Sequence, residues 1–247
     1  MPAAKATSKA LPPDTVTGVV AELRGLASES CKKTLMRHGA REPLFGVRIG
    51  DMQPIRKRIQ GNHELALGLY DTGISDAMYL AGLVADPLSM TAADLDRWAS
   101  VAEWALLVCA VAGVAAESEH GTALALGWID DRRPHVAECG WTTLTNILSI
   151  TPDDQLDLPK CRALLKRVES SVHKQPNRVR YAMNGFVIGL GCFVPALTEA
   201  ALAAADRIGP VAVDMGETAC EVPAARAYIE KVRDRGTLGK KKKSARC

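Results

Sequence analysis

Apolar residues along this 247-residue chain recur at steps of three and four, the spacing that lines one face of an α-helix. No segment alternates apolar and polar residues as a half-buried strand does, and no Asn-Gly turn stands between two alternating runs. Several periodic segments open on residues that cap helices. Asn62 precedes the run bearing Leu65, Leu67 and Leu69, and Ser75 precedes Ala77–Val84. Thr91 with Asp94 forms a capping box ahead of the helix bearing Trp98. Asp51 precedes a short basic helix, and Asn177 is placed to cap a helix over 178–191. Pro134 and Pro159 stand where helices begin, since the first-turn N–H needs no intrahelical acceptor. Pro195 and Pro223 precede helices reaching Arg207 and Arg233. The pattern predicts an all-α chain of about a dozen short helices, either a bundle or a stack of helix pairs.

Composition narrows the function classes. Hydrophobic residues at 47% and charged residues at 24% are the balance of an ordinary globular protein. The longest runs free of polar side chains, Trp104–Ala116 and Gly185–Leu197, have 13 residues each, too short to cross a bilayer. The amino terminus has no apolar signal core, and seven cysteines without a CxxC pair fit a reduced, cytoplasmic compartment. Five scattered histidines show no ligand spacing, so no metal is expected. The absence of GxGxxG and P-loop motifs argues against a nucleotide cofactor, and no cofactor of any kind is implied. Residues 1–13 read as a disordered leader, 14–236 as the helical domain, and 237–247, with Lys240 to Lys243, as a flexible basic tail.

Charge is segregated under a net +3. Residues 32–58 carry eight Lys/Arg against two acids, and residues 160–180 carry seven against one. Residues 64–131 hold eleven acids and one Arg. Any nucleic-acid contact must therefore come from local patches. Arg48, Arg56, Lys57, Arg58, Arg178 and Arg180 are the candidates. Arg178 and Arg180 stand at a helix start, where cations gain nothing from the helix dipole, a misfit that favours an external anion such as phosphate.

Three blocks resemble the DNA alkylation repair (AlkD-like) family: Leu44-Phe45-Gly46-Val47-Arg48-Ile49-Gly50-Asp51-Met52 with the basic helix after it; the stretch from Leu65 to Trp104; and Arg178-Val179-Arg180-Tyr181-Ala182-Met183-Asn184-Gly185-Phe186-Val187-Ile188. The resemblance implies HEAT-like helical repeats stacked in a curved solenoid. It also implies duplex DNA, alkylated or not, bound on a basic concave face. Active members release alkylated purines. A cationic purine leaves readily, so the site mainly stabilises the sugar cation, with a carboxylate and electron-rich aromatic faces. On this chain the resemblance assigns the aromatic positions to Trp104 and Phe186, and the acid position to Val108. Taking Trp98 as the first aromatic puts Ala102 there instead, so the acid is missing in either register. Cys139 falls where the family has a DNA-contacting arginine. Glu138, Glu103 and Asp96 are the carboxylates that stand near; Glu103, next to Trp104, points about 100° away if both are helical. Three readings stay open: an alkylpurine DNA glycosylase, a non-catalytic DNA binder, and a HEAT-like scaffold for a protein partner, the last suggested by the acidic segment.

Overall fold

Five helix starts are written in the sequence as side-chain caps. Thr15, Ser28, Asn62, Thr91 and Asp157 each accept a first-turn backbone N–H, an interaction that stabilises a helix by about 1 kcal/mol. In the computed structural model, which describes residues 14–246, thirteen α-helices and three single 3-10 turns account for the regular structure, with no strand among the described residues. They are α1 (Val16–Gly25), α2 (Glu29–Arg37), α3 (Ile49–Ile59), α4 (His63–Asp71), α5 (Ser75–Val84), α6 (Ala92–Val101) and α7 (Ala105–Glu117). There follow α8 (Gly121–Trp128), α9 (Pro134–Ile150), α10 (Leu158–Ser171), α11 (Asn177–Phe193), α12 (Thr198–Ile208) and α13 (Ala225–Asp234). The leader expected over 1–13 lies outside the described residues. No single helix among them is long and apolar enough to cross a membrane.

The stack of helix pairs, and not the bundle, is what forms. Helices α5, α7, α9 and α11 pack one against the next as an inner row, and α4, α6, α8 and α10 lie against them in turn. Inner position follows from composition. All ten residues of α5 are buried, and α7 is buried from Leu107 to Ala115 except at Cys109, as expected for helices apolar on every side. Two core clusters meet on α9, which gives Val136 and Cys139 to the amino-terminal cluster and Ala137, Trp141 and Leu144 to the other.

Three predicted starts are corrected, and the first is Ser75, which is the opening residue of α5 with Ile74 at the cap position. Asn177 does not cap α11; it is its first residue, and Pro176 is the cap. Its side chain instead clasps residue 214, accepting from Asp214 N–H and donating to Asp214 C=O, both at 2.7 Å. Asp51 lies inside the first turn of α3, which Arg48 precedes.

A buried carboxylate locks the glycine-containing block to the repeat. Asp76, in the first turn of α5, accepts from the backbone N–H of Phe45 (2.6 Å), Gly46 (3.3 Å) and Val47 (2.7 Å). Gly46 is required there, because its φ is +78° and a Cβ would fall 2.5 Å from the Lys32 backbone.

The segment expected as a flexible tail makes defined contacts. Residues 239–246 run along the carboxyl ends of α11, α9, α7 and α5, and hydrogen-bond to each. Backbone carbonyls at helix ends supply acceptors that composition does not reveal.

Candidate nucleic-acid interface

The opposite edge of the same row, where the helices begin, opens on a cavity of about 640 Å³. Its wall is built from the amino-terminal parts of α7, α9 and α11, together with the end of α2, the residues after it, and loop 214–216. Trp104 enters from the N-cap position of α7 in an extended conformation (φ −141°, ψ 158°). Glu103 and Trp104 therefore precede the helix, and both line the cavity; the expectation that Glu103 points away rested on helical geometry that is absent there. Trp104 is 8% exposed, its indole N–H has no partner among the described residues, and it also lines a second, apolar cavity of about 260 Å³ with Arg48 and Ile49.

The charged centre of the large cavity is a pair joining α9 to α11. Arg178 donates to the Glu138 Oε1 from Nε (3.1 Å) and Nη2 (2.9 Å), and its guanidinium lies 4.7 Å from the centre of the Tyr181 ring. The misfit at the start of α11 is thus answered in part from within. Glu138 is 4% exposed. Burial raises its carboxyl above the ordinary carboxylate value, and the charge and hydrogen bonds of Arg178 oppose that rise without cancelling it. Its Oε2 and the Arg178 Nη1 make no hydrogen bond among the described residues, so each keeps capacity for a ligand. Three arginines (37, 41 and 178) and three acids (Glu103, Glu138 and Asp214) line the cavity. The wall is balanced in charge, and two of its three arginines are paired. Arg41 meets Glu103 at 2.8 Å, while exposed Arg37 donates to the Thr34 hydroxyl.

The remaining expected site residues are distributed otherwise. Val108 is fully buried, packs in the amino-terminal core, and lines neither cavity. The α7 residues that face the large cavity are Ala105, Leu106 and Cys109. Phe186 is 1% exposed and meets Trp141 edge-on with ring centres 5.3 Å apart, inside the carboxyl-terminal core. The aromatic that α11 turns to the cavity is Tyr181, which lies about 140° from Phe186 around the helix. Its place three residues after Arg178 is the signal that could have found it. Trp98 is stacked on Tyr70 at 4.0 Å in the core, and Ala102 is buried, so the alternative register places neither of its residues at a cavity. Cys139 is buried, and burial pushes its thiol up. Asp96 accepts from the Trp128 indole at 2.9 Å, away from the cavity. Arg58 is held by Asp14 (2.7 Å) and Glu22 (2.6 Å), so its charge is spent inside the protein. Arg180 donates to Asn177, Lys57 is exposed on α3, Arg56 is half-buried, and exposed Arg48 lines only the smaller cavity. Among the described residues no group of three metal-binding side chains occurs.

The sequence model of the DNA alkylation repair enzyme family matches residues 19–220. Two uncharacterised proteins, Lin0241 of Listeria innocua and Lmo0209 of Listeria monocytogenes, are each 33% identical to the chain over 220 residues, spanning 87% of it and 95% of their own length. A solved structure, described as a new family of proteins related to the HEAT-like repeat DNA glycosylases with affinity for branched DNA structures, superposes with a TM-score of 0.87 at 36% identity. The match covers 94% of this chain and 100% of that one.

Proposed function

The chain belongs to the DNA alkylation repair enzyme family and has its HEAT-like helical fold, and we propose that it is a non-catalytic member that binds branched DNA at the amino-terminal edge of the inner helix row. The observation that carries this reading is the Glu138–Arg178 pair. Expelling a cationic purine leaves a developing sugar cation, which calls for an uncompensated carboxylate beside it. The one carboxylate withdrawn into the cavity wall is bonded to Arg178, Glu103 at the rim is paired with Arg41, and the third acid, Asp214, lies on an exposed loop and accepts from the Gly216 N–H. The position assigned to the acid, Val108, lies in the core. What the edge offers instead is binding chemistry: the Tyr181 and Trp104 rings for unstacked bases, and Arg178 with the amino ends of three helices for phosphate. The affinity for branched DNA described for the structural relative supports this choice of ligand.

The acidic stretch that suggests a protein-binding scaffold is partly paired within the fold. Within the acidic stretch 64–131, Asp71, Asp94, Glu103, Glu117, Asp130 and Asp131 each meet an arginine. Six of the eleven acids of that stretch are thus paired on folding.

The test combines binding with turnover. A four-way junction and a linear duplex of the same arms are titrated at several salt concentrations, and methylated duplex is assayed for released 7-methylguanine and 3-methyladenine. Tighter junction binding that weakens with salt, and no base release, is the expected outcome. Release above the protein-free background makes the chain a glycosylase. Absence of salt-sensitive DNA binding returns the scaffold reading.

A further inference from the structure

The carboxyl edge of the inner row carries a built-in fastening. Gly239 N–H donates to Cys192 C=O at the end of α11 (2.8 Å). Lys241 Nζ bridges Phe193 C=O at the end of α11 (2.8 Å) and Leu148 C=O near the end of α9 (2.9 Å), and pairs with Asp153 at 2.8 Å. Lys242 N–H donates to Ser149 C=O at 2.8 Å. Ser244 Oγ and Ala245 N–H donate to Oε1 of Glu117, the last residue of α7, at 2.5 and 2.7 Å. Arg246 Nε meets the other Glu117 oxygen at 2.8 Å, and Nη1 donates to Ala85 C=O just past α5 at 2.7 Å. The segment therefore crosses the ends of α11, α9, α7 and α5 in that order, with cations at the negative ends of the helix dipoles.

The inner row is shaped to receive it. Gly113, in the middle of α7, is the residue against which Arg246 rests. A Cβ there would lie 2.9 Å from the Arg246 Cγ and 3.4 Å from Ala245 C=O. A glycine costs an interior helical turn about 1 kcal/mol relative to alanine, and at this position it makes room for Arg246. The same four helices present their amino-terminal residues to the two cavities: Ser75, Asp76 and Tyr79 from α5 to the smaller, and Trp104, Glu138 and Arg178 of α7, α9 and α11 to the larger.

We propose that residues 237–246 are an intramolecular strap, and that Lys241 and Arg246 are positioning residues for the DNA-facing edge. By fixing the carboxyl ends of α5, α7, α9 and α11 to one another, the strap sets how far their amino ends stand apart, and so which DNA shape the edge fits. This rests on the proposed function for its DNA readout, while a second readout needs no DNA. Lys241 and Arg246 are bound at helix ends, so their charges are not offered to the DNA.

The test uses the full chain with two variants: Gly113→Leu, which blocks the seat of Arg246 without changing charge, and the double substitution Lys241→Met with Arg246→Met. Amide hydrogen exchange is followed at residues 104–109 and 177–181, at the far end of the helices. Junction and duplex affinities are measured against salt. Both variants are expected to speed exchange at the far end and to lower the junction-over-duplex ratio by at least about fivefold, the lower end of ordinary coupling between distant sites. The salt slope stays that of the wild type. A slope that falls by about 0.9 for each cation removed means that the tail touches phosphate directly, and overturns the strap. Faster exchange confined to the carboxyl ends, with unchanged selectivity, also overturns it. A wild type that binds no DNA yet shows far-end exchange rising in the variants sinks the proposed function and leaves the mechanical coupling standing; no rise at the far end sinks the coupling itself.

Discussion

Glu138 and Glu117 lie at opposite edges of the same helix row, each drawn from water and each facing an arginine, yet they titrate in opposite directions. Burial raises Glu138, and Arg178, reaching only one of its oxygens, does not reverse that. Burial also acts to raise Glu117, but Ser244, Ala245 and Arg246 supply donors to both of its oxygens and bring it below the ordinary carboxylate value. Glu138 is also the more deeply buried of the two, so a larger desolvation penalty and fewer donors act in the same direction. The carboxyl edge is a finished structural joint. The amino edge keeps unfilled capacity, which is what a binding surface needs.

The contrast is sharpest between neighbours on α7. Val108→Asp is expected to lose about 4 kcal/mol or more, because it buries an unpaired charge in the core. Cys109→Asp, one residue on and facing the cavity, is expected to change stability by less than about 1 kcal/mol. Denaturant unfolding of the two variants checks the assignment, and equal losses would mean that the cavity wall is wrongly identified. A carboxylate meant to face the cavity therefore calls for residue 109 rather than residue 108.

Asp76 is the amino-edge carboxylate that is wholly used. Asp76→Ala leaves three backbone donors of 45–47 without an acceptor, and the expected loss is roughly 3 kcal/mol by the same measurement. A loss under about 1 kcal/mol would show that the loop is held by packing alone.

The two glutamates give a pH test of opposite sign. Glu117 has a lowered folded value, so its contribution is complete above the ordinary carboxylate range and is lost as pH falls through that lowered value. Glu117→Gln should cost roughly 1–2 kcal/mol near neutrality and flatten the acid limb of stability against pH. Glu138, with a raised value, is less favourable when ionised, so its contribution improves as pH falls through the raised value. Glu138→Gln should steepen the acid limb. Identical pH profiles for the two variants would erase the difference between the edges.

Much of the fold was legible in the sequence, and for identifiable reasons. Asn62, Thr91 and Pro134 mark helix starts through interactions within one turn, and those starts stand as read. The family blocks gave the stacked pairs that periodicity left open. The site was less legible because facing depends on rotation about each helix. Phe186 and Tyr181 lie on one helix in one quoted block, and only the packing of Trp141 against Phe186 shows which is turned inward. The strap was illegible for another reason. A lysine run reads as solvated unless its acceptors are known, and those are carbonyls at the ends of helices distant in sequence from Lys241.

Whether the amino edge is the DNA-binding edge is decided most directly by the salt dependence of four-way junction binding by the wild type and Arg178→Ala. The expected result is junction binding tighter than duplex binding in the wild type, and in the variant an affinity weaker by about 1–2 kcal/mol with a log–log salt slope shallower by about 0.9. An unchanged affinity and slope in Arg178→Ala, with the wild type still binding junctions, would contradict it.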